Sequence, residues 1–130
     1  MPDYRLRSIK VVAVDDGADT RELLKFILKR SSADAVVVSS GEEALEAIKN
    51  VRPNILISDL AMSQMDGYEL LENVRRLESE IGPLPSIAFT ASAGNEDRIR
   101  NRRAGFQEHL VKPVIAEDLV TTIVNLVNRS

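Results

Sequence analysis

The chain has 130 residues, of which 44% are hydrophobic and 28% are charged, and these values predict one ordinary folded domain spanning residues 1–130. It has no Cys and only one His, which excludes disulfides and leaves almost no ligands for zinc or another soft metal. A net charge of -3 and an aromatic content of 4% argue against direct binding of nucleic acid.

Five short apolar segments predict β-strands that are buried on both faces. The first is Ile9–Val14, and the others are Ala35–Val38, Ile55–Ile57, Ile87–Phe89 and the weaker Glu108–Val111. Segments with helical spacing alternate with them, at residues 23–28, 44–48, 70–77, 96–103 and 119–127. Because parallel strands joined by crossover helices give an open sheet with helices on both faces, the order of elements predicts the α/β class.

Four places mark the boundaries of the predicted helices. Ser40–Glu43 and Asp66–Glu69 have the spacing of capping boxes, in which the first side chain accepts from a helix amide and the glutamate reaches back. Pro53 ends the second helix, and Gly82–Pro85 is incompatible with a helix and leads into the fourth strand.

Polar side chains follow the predicted strands at the point where ligands bind in sheets of this kind. The acid pair Asp15 and Asp16 follows the first strand, and Asp59 follows the third. Thr90 ends the fourth strand and Lys112 follows the fifth. Three carboxylates that converge repel one another unless a cation joins them, and a hard divalent ion such as Mg²⁺ prefers oxygen ligands.

This combination supports phosphoryl transfer, in which a carboxylate beside Mg²⁺ attacks phosphorus and forms an aspartyl phosphate. Lys112 would supply a second positive charge and Thr90 a hydroxyl donor. Each residue also has a structural interpretation. A single Asp at a strand end is often a turn former or a helix cap, Thr is common in strands, and a single Lys is usually a solvated surface charge. Their joint placement favours the functional interpretation.

The chain resembles the receiver domains of two-component response regulators from about Lys10 to Val127. The matching pieces are VVAVDDG, LISDLAMSQMDGYELL, IAFTAS and GFQEHLVKPV. The resemblance implies a flavodoxin-like (CheY-like) doubly wound sheet of five parallel strands in the order 2-1-3-4-5, with five helices. It is greatest to receivers that are fused to hybrid sensor histidine kinases.

The resemblance also implies a role for each acidic residue. Asp59 is the expected phosphoacceptor. The expected ligands of Mg²⁺ are Asp16, Asp59 and the backbone carbonyl of Ala61, with Asp15 assisting through water. Neither Asp15 nor Asp16 is expected to act as a nucleophile.

Three further positions complete the expected site. Thr90 and Lys112 would contact the phosphoryl group, and the resemblance implies a cis peptide between Lys112 and Pro113. His109 lies three residues before the lysine, where the family usually has Tyr or Phe. We expect a structural or switching role for His109 rather than a phosphohistidine, with a pH-dependent ring position.

The resemblance places the phosphoryl donor on another domain or protein, either a histidine kinase or a histidine phosphotransfer domain. The output that the phosphoryl group controls is unknown. The chain contains no GxxxxGK[ST] loop for ATP. Arg98, Arg100, Arg102 and Arg103 lie among acidic residues and predict a solvated helix face, for which an acidic helix would be the preferred partner.

No apolar run approaches the ~20 residues of a membrane helix, and the first ten residues lack the apolar run of a signal peptide. We therefore expect no membrane insertion and a cytoplasmic location.

Three alternatives to a phosphorylated receiver have their own requirements. A haloacid-dehalogenase-like phosphatase with an Asp nucleophile and Mg²⁺ would need a DxD pattern, whereas Asp15 and Asp16 are adjacent. A flavodoxin-type electron carrier would need a hydroxyl- and Gly-rich phosphate loop, whereas VDDGADT offers carboxylates that repel phosphate. A receiver-like module that is never phosphorylated would lack Asp59, Thr90 or Lys112, and all three are present.

Overall fold

The computed structural model describes residues 2–91 and 94–129. Met1, Ser92, Ala93 and Ser130, which include the last residue of IAFTAS and both ends of the predicted 1–130 domain, lie outside the described residues. Strands and helices alternate through the described part. Their bounds are β1 Lys10–Val14, α1 Ala18–Arg30, β2 Asp34–Val38, α2 Gly41–Val51, β3 Ile55–Asp59, α3 Gly67–Ile81, β4 Ser86–Thr90, α4 Asn95–Ala104, β5 Glu108–Val111 and α5 Ala116–Val127.

The strands form one parallel sheet in the order β2-β1-β3-β4-β5, which confirms the predicted flavodoxin-like topology. Successive side chains of a strand point to opposite faces, and each face has its own core. Val11 and Ala13 of β1 pack on the face that α1 and α5 cover, whereas Val12 and Val14 pack with α2 and α3. Because both faces are covered, the strands are apolar at almost every position.

The register of the central strands determines which strand ends lie next to one another. Val14, the last residue of β1, pairs with Ser58 of β3. Asp59 ends β3 and pairs with Phe89 of β4, whose next residue is Thr90. The residues that leave β1, β3 and β4 therefore emerge side by side at the carboxyl edge of the sheet.

Both predicted N-cap side chains accept from the expected helix amide, but among the described residues neither glutamate bonds to the amide of its own cap residue, as a capping box requires. The Ser40 side chain accepts from the Glu43 amide at 3.2 Å, and the Asp66 side chain accepts from the Glu69 amide at 2.9 Å. The Glu43 carboxylate reaches back to the amide of Ser39, at 3.1 Å, one residue earlier than a capping box requires. It also accepts from the Ser39 hydroxyl, so the tip of β2 and the start of α2 are joined.

The segment before β1 packs against the body of the protein, which the sequence did not predict. We call residues 2–9 the N-terminal strap. Leu6 has no exposed surface and packs in the core with α1 and α5, while its amide donates to Ser31 at 3.0 Å. Asp3 accepts from the Ser31 hydroxyl at 2.9 Å, and Arg5 pairs with Glu117 of α5 at 2.7 Å. The strap thus joins the end of α1 to the start of α5.

Candidate functional site

Three carboxylates converge at the carboxyl edge of the sheet. Asp15, Asp16 and Asp59 each offer an oxygen, and these oxygens all lie within 4.8 Å of one another. Asp15 is 1% exposed and Asp59 is 3% exposed, whereas Asp16 faces solvent. The cluster follows from the sheet order, because β1 and β3 are neighbours and their last residues lead into it.

A single ammonium group bridges the two buried carboxylates. Lys112 Nζ lies 2.7 Å from Asp15 Oδ2 and 3.2 Å from Asp59 Oδ1. The Lys112 amide donates to the Thr90 carbonyl at 2.7 Å, which extends the pairing of β4 and β5 by one bond. The peptide bond between Lys112 and Pro113 is cis, as the resemblance implies. Thr90 is half-buried at the end of β4.

The environment shifts the pKa of both partners in this pair. Burial raises the pKa of the Asp59 carboxyl, the charge of Asp15 raises it further, and Lys112 offsets only part of the rise. Burial alone would lower the pKa of Lys112, but its hydrogen bond to Asp15 and the charges of Asp59 and Asp15 outweigh burial, so the pKa is raised. Lys112 therefore stays positively charged at neutral pH. It lies beside the Asp59 carboxylate, whose ionised form is disfavoured by burial and by the charge of Asp15.

Asp15 has a structural task in addition to its place in the cluster. Its Oδ1 accepts from the Gly17 amide at 2.8 Å, and its carbonyl accepts from Arg21 at 2.9 Å. The turn-forming interpretation of Asp15 is therefore correct for its Oδ1 atom, while its Oδ2 atom belongs to the acid cluster. The helix-cap interpretation is wrong for both acids of the pair, because α1 is preceded by Gly17 and has no side-chain cap.

A glycine allows the start of α3 to lie against the strand that carries Asp59. A Cβ atom at Gly67 would lie 2.4 Å from the Asp59 carbonyl oxygen and 2.9 Å from atoms of Leu60. The Gly67 amide also donates to the Leu60 carbonyl at 3.0 Å. No residue with a side chain fits this contact without moving the backbone, so Gly67 sets the path of the loop after β3. From the sequence, Gly67 was identified only as part of the capping box Asp66–Glu69, and its contact with β3 was not predicted.

The donor set fits a hard divalent cation. Every ligand offered by the cluster is a carboxylate oxygen, two of them are buried, and Lys112 is the one cation that ion-pairs with them among the described residues. Three carboxylates against one ammonium leave excess negative charge, which an ion such as Mg²⁺ would neutralise. The Ala61 amide lies 3.4 Å from Asp59 Oδ1, so the residue whose carbonyl is the expected further ligand adjoins the cluster.

His109 has a different set of neighbours. It is half-buried in β5, where it pairs with Ala88, and its Nδ1 lies 2.6 Å from the side-chain nitrogen of Asn101 in α4. Asn101 in turn accepts a hydrogen bond from the Tyr68 hydroxyl at 2.5 Å. Sequence reasoning missed Asn101 and Tyr68, because nothing distinguishes one Asn among the polar residues of α4.

The basic run on α4 is solvated, as predicted. Arg98, Arg100, Arg102 and Arg103 are all exposed, and Arg100 lies over the Tyr68 ring with 4.2 Å between the guanidinium carbon and the ring centroid. Among the described residues, no helix has both the length and the apolar character that a membrane crossing requires.

Comparisons with known proteins agree with this geometry. The family model for the response regulator receiver domain matches residues 11–124. An uncharacterized 14.6 kDa protein of Leptolyngbya boryana is 41% identical over 118 residues, which cover 91% of this chain and 89% of that protein. The response regulator MprA of Mycobacterium leprae is 33% identical, and the match covers 94% of this chain but only 52% of MprA.

Solved structures give the same result. The crystal structure of a putative response regulator from Chloroflexus aurantiacus has a TM-score of 0.85 and 30% sequence identity, and the match covers 93% of this chain and 98% of that one.

Proposed function

Because this chain belongs to the family of response regulator receiver domains, it is a phosphoacceptor module of two-component signalling, and we propose that Asp59 accepts the phosphoryl group. We further propose that residues 1–130 act as one receiver domain. The phosphoryl donor would be a phosphohistidine of a histidine kinase or of a histidine phosphotransfer domain. Fusion to a hybrid kinase and a cytoplasmic location stay predictions.

The observation that carries the assignment is the contrast among the three carboxylates. Asp15 has one oxygen bonded to the Gly17 amide at 2.8 Å and the other paired with Lys112 at 2.7 Å. Asp16 is exposed to solvent, which weakens the effect of any charge placed near it. Asp59 is buried, and its contacts to Lys112 and to the Ala61 amide are longer, 3.2 and 3.4 Å. Asp59 is thus the buried carboxylate that is least committed to contacts within the protein.

In the proposed reaction, an Asp59 carboxylate oxygen forms a bond to phosphorus while the phosphorus–nitrogen bond of the donor breaks, and the electron pair stays on the imidazole. Lys112 is positioned to pair with the phosphoryl oxygens, since its ammonium already lies 3.2 Å from Asp59. The Thr90 hydroxyl, next to Phe89 in the strand that pairs with β3, would donate to the same oxygens. The only later chemistry of the module would be hydrolysis of its own aspartyl phosphate.

We propose that Asp16, Asp59 and the Ala61 carbonyl hold Mg²⁺, with Asp15 acting through water. When bound, the ion would offset the charge on the phosphoryl oxygens. Without a cation, the carboxylates would repel an incoming phosphoryl dianion.

Intact-protein mass spectrometry after incubation with acetyl phosphate and Mg²⁺ tests the proposal. We expect the mass of one phosphoryl group to be added to the wild-type protein and to be absent in Asp59→Asn. Asp34→Asn is the matched control. Asp34 is an exposed acid at the amino end of β2, away from the carboxyl edge of the sheet where the cluster lies. Labelling that survives Asp59→Asn, or that is equal with a chelator present, would contradict the assignment.

A further inference from the structure

Helix α4 is attached to the protein in an unusual way. All of its residues lie in the described part of the chain, and Asn101 is the one that is buried, with 1% of its surface exposed. A helix normally docks through an apolar stripe, and the sequence NEDRIRNRRA has none. A buried Asn therefore takes the place that a core side chain would have.

The Asn101 amide joins side chains from three elements. The Tyr68 hydroxyl of α3 donates to Asn101 Oδ1 at 2.5 Å, and Asn101 Nδ2 lies 2.6 Å from His109 Nδ1 of β5. An amide nitrogen only donates, so Nδ1 of His109 must be the acceptor. A ring that accepts at Nδ1 is neutral, and its proton is then on Nε2.

Contacts with its neighbours hold the Tyr68 ring in the position from which its hydroxyl donates to Asn101. Arg100 lies over its ring at 4.2 Å, and the Phe106 ring packs edge-on with centroids 6.4 Å apart. Burial raises the pKa of the Tyr68 phenol above its ordinary value, which already lies well above neutral pH, so the hydroxyl is a donor there. Arg75 of α3 also donates to the Gly105 carbonyl at 2.7 Å, so the end of α4 is tied to the same helix.

The position of Tyr68 connects this chain of hydrogen bonds to the phosphoacceptor strand. Tyr68 directly follows Gly67, whose missing Cβ allows contact with the Asp59 carbonyl. A change at His109 therefore has a short covalent and hydrogen-bonded path to the loop after β3, through Asn101 and the first turn of α3.

We propose that Asn101 is a positioning residue, which holds the proton of neutral His109 on Nε2 and relays the charge state of His109 to Tyr68. When His109 is protonated, Nδ1 becomes a donor, so the amide must turn and accept at Oδ1. Its nitrogen then donates to the Tyr68 oxygen, and the phenol proton must point elsewhere. The link from this relay to receiver switching rests on the proposed function, but the relay itself does not.

Charged groups of α4, β5 and α5 line the cavities beside His109, whereas its neighbour in β4 is the uncharged Ala88. Arg98 and Arg102 of α4 line the cavities beside the ring and oppose protonation. Glu108 of β5 and Asp118 of α5 line the same cavities and favour it. A change in the charge of His109 therefore takes place beside two cations and two carboxylates as well as Asn101.

The single His makes the test unambiguous, because every imidazole signal in the NMR spectrum belongs to His109. Long-range ¹H–¹⁵N spectra of the unphosphorylated protein should show the neutral ring with its proton on Nε2. In Asn101→Ala the ratio of the two tautomers should change by about fivefold, the value expected for one lost hydrogen bond. Asn95→Ala, at an exposed position of the same helix, is the matched control and should leave the ratio unchanged.

Two further variants separate positioning from simple packing. Tyr68→Phe keeps the ring but releases the amide orientation, so the population with the proton on Nδ1 should rise. Asn101→Asp offers only acceptors, so the proton should move to Nδ1 and the pKa of His109 should rise. If Asn101→Ala fails to fold, these two variants still decide the question. A wild-type ring protonated on Nδ1, or tautomer ratios equal to the wild type in every variant, would overturn the proposal.

The relay has its own readout. Across the titration of His109, the ring resonances of Tyr68 should follow with the same midpoint in the wild type and should not follow in Asn101→Ala. Tyr4, the other tyrosine, is the internal reference. Tyr68 resonances that ignore the titration in the wild type would overturn the relay. Failure of acetyl phosphate to label Asp59 would leave these spectra unchanged, so the two proposals fail separately.

Discussion

Lys112 Nζ lies 0.5 Å closer to Asp15 than to Asp59, at 2.7 Å against 3.2 Å. In Lys112→Gln both buried carboxylates lose their cation, and breaking a buried pair in this way costs on the order of 3 kcal/mol. We expect urea denaturation in metal-free buffer at neutral pH to show this loss. Loss of the ammonium raises the pKa of the Asp59 carboxyl in the folded state, so the loss of stability should shrink as the pH falls and Asp59 becomes protonated.

Lys25→Gln is the control for this variant, since Lys25 forms an exposed pair with Glu22. If both variants lose the same stability, or if the loss in Lys112→Gln does not depend on pH, then the lost contact with Asp15 and Asp59 is not the cause of the destabilisation.

Asp59→Asn should stabilise the metal-free protein at neutral pH. Burial, with the charge of Asp15, raises the pKa of Asp59 in the folded state, so the folded protein binds this proton more strongly than the unfolded chain does. Stability is then lost as the pH rises from the unfolded pKa through the folded one, and the whole cost is present above both. Thermal unfolding should show a higher midpoint for Asp59→Asn at pH 7 and little difference near pH 3. A lower midpoint at pH 7 would contradict the raised pKa.

Binding of Mg²⁺ should stabilise the protein through Asp16. A ligand at one hundred times its dissociation constant stabilises the folded state by about 2.7 kcal/mol. Asp16 is exposed, so Asp16→Ala should leave the metal-free stability almost unchanged and greatly reduce the stabilisation by Mg²⁺. Thermal unfolding with and without Mg²⁺ measures both quantities. Marked destabilisation of the metal-free variant would instead indicate a structural role for Asp16.

The N-terminal strap should contribute to the stability of the core. Leu6 has no exposed surface, so Leu6→Ala should cost about 2–5 kcal/mol through lost burial and the cavity left behind. Leu23→Ala, at a position that is 42% exposed, is the control and should cost much less. Similar denaturation midpoints for the two variants would show that the strap is not part of the cooperative core.

Local patterns were sufficient to predict much of the fold. The five parallel strands and the caps at Ser40 and Asp66 were predicted, because their signals are carried by neighbouring residues. Burial on both faces was wrong for β2 and β5, which lie at the edges of the sheet and are only partly buried. The third strand was predicted to end at Ile57, whereas it continues to Asp59. Those last two polar residues are in the ladder because β4 pairs with them, and a partner strand is invisible in local periodicity.

The parts that were missed depend on distant contacts. Leu6 lies in a polar segment and is buried only because α1 and α5 leave room for it. Asn101 is one polar residue among many until Tyr68 and His109 approach it from other elements. The acid cluster was predicted because a general rule for parallel sheets places strand ends together, whereas no such rule places side chains that meet across α3, α4 and β5.

The central place of β1 has a consequence for the order in which the site is built during synthesis. β2 and β3 flank β1 directly, so the first three strands to be synthesised are neighbours in one half of the sheet. That half already contains all three carboxylates, whereas Lys112 arrives with the last strand. Before β4 pairs with β3, these carboxylates would lie without Lys112 beside the open edge of β3, and charge at a strand edge opposes edge-to-edge aggregation. The acids that would serve phosphorylation in the finished protein would thus protect its unfinished sheet.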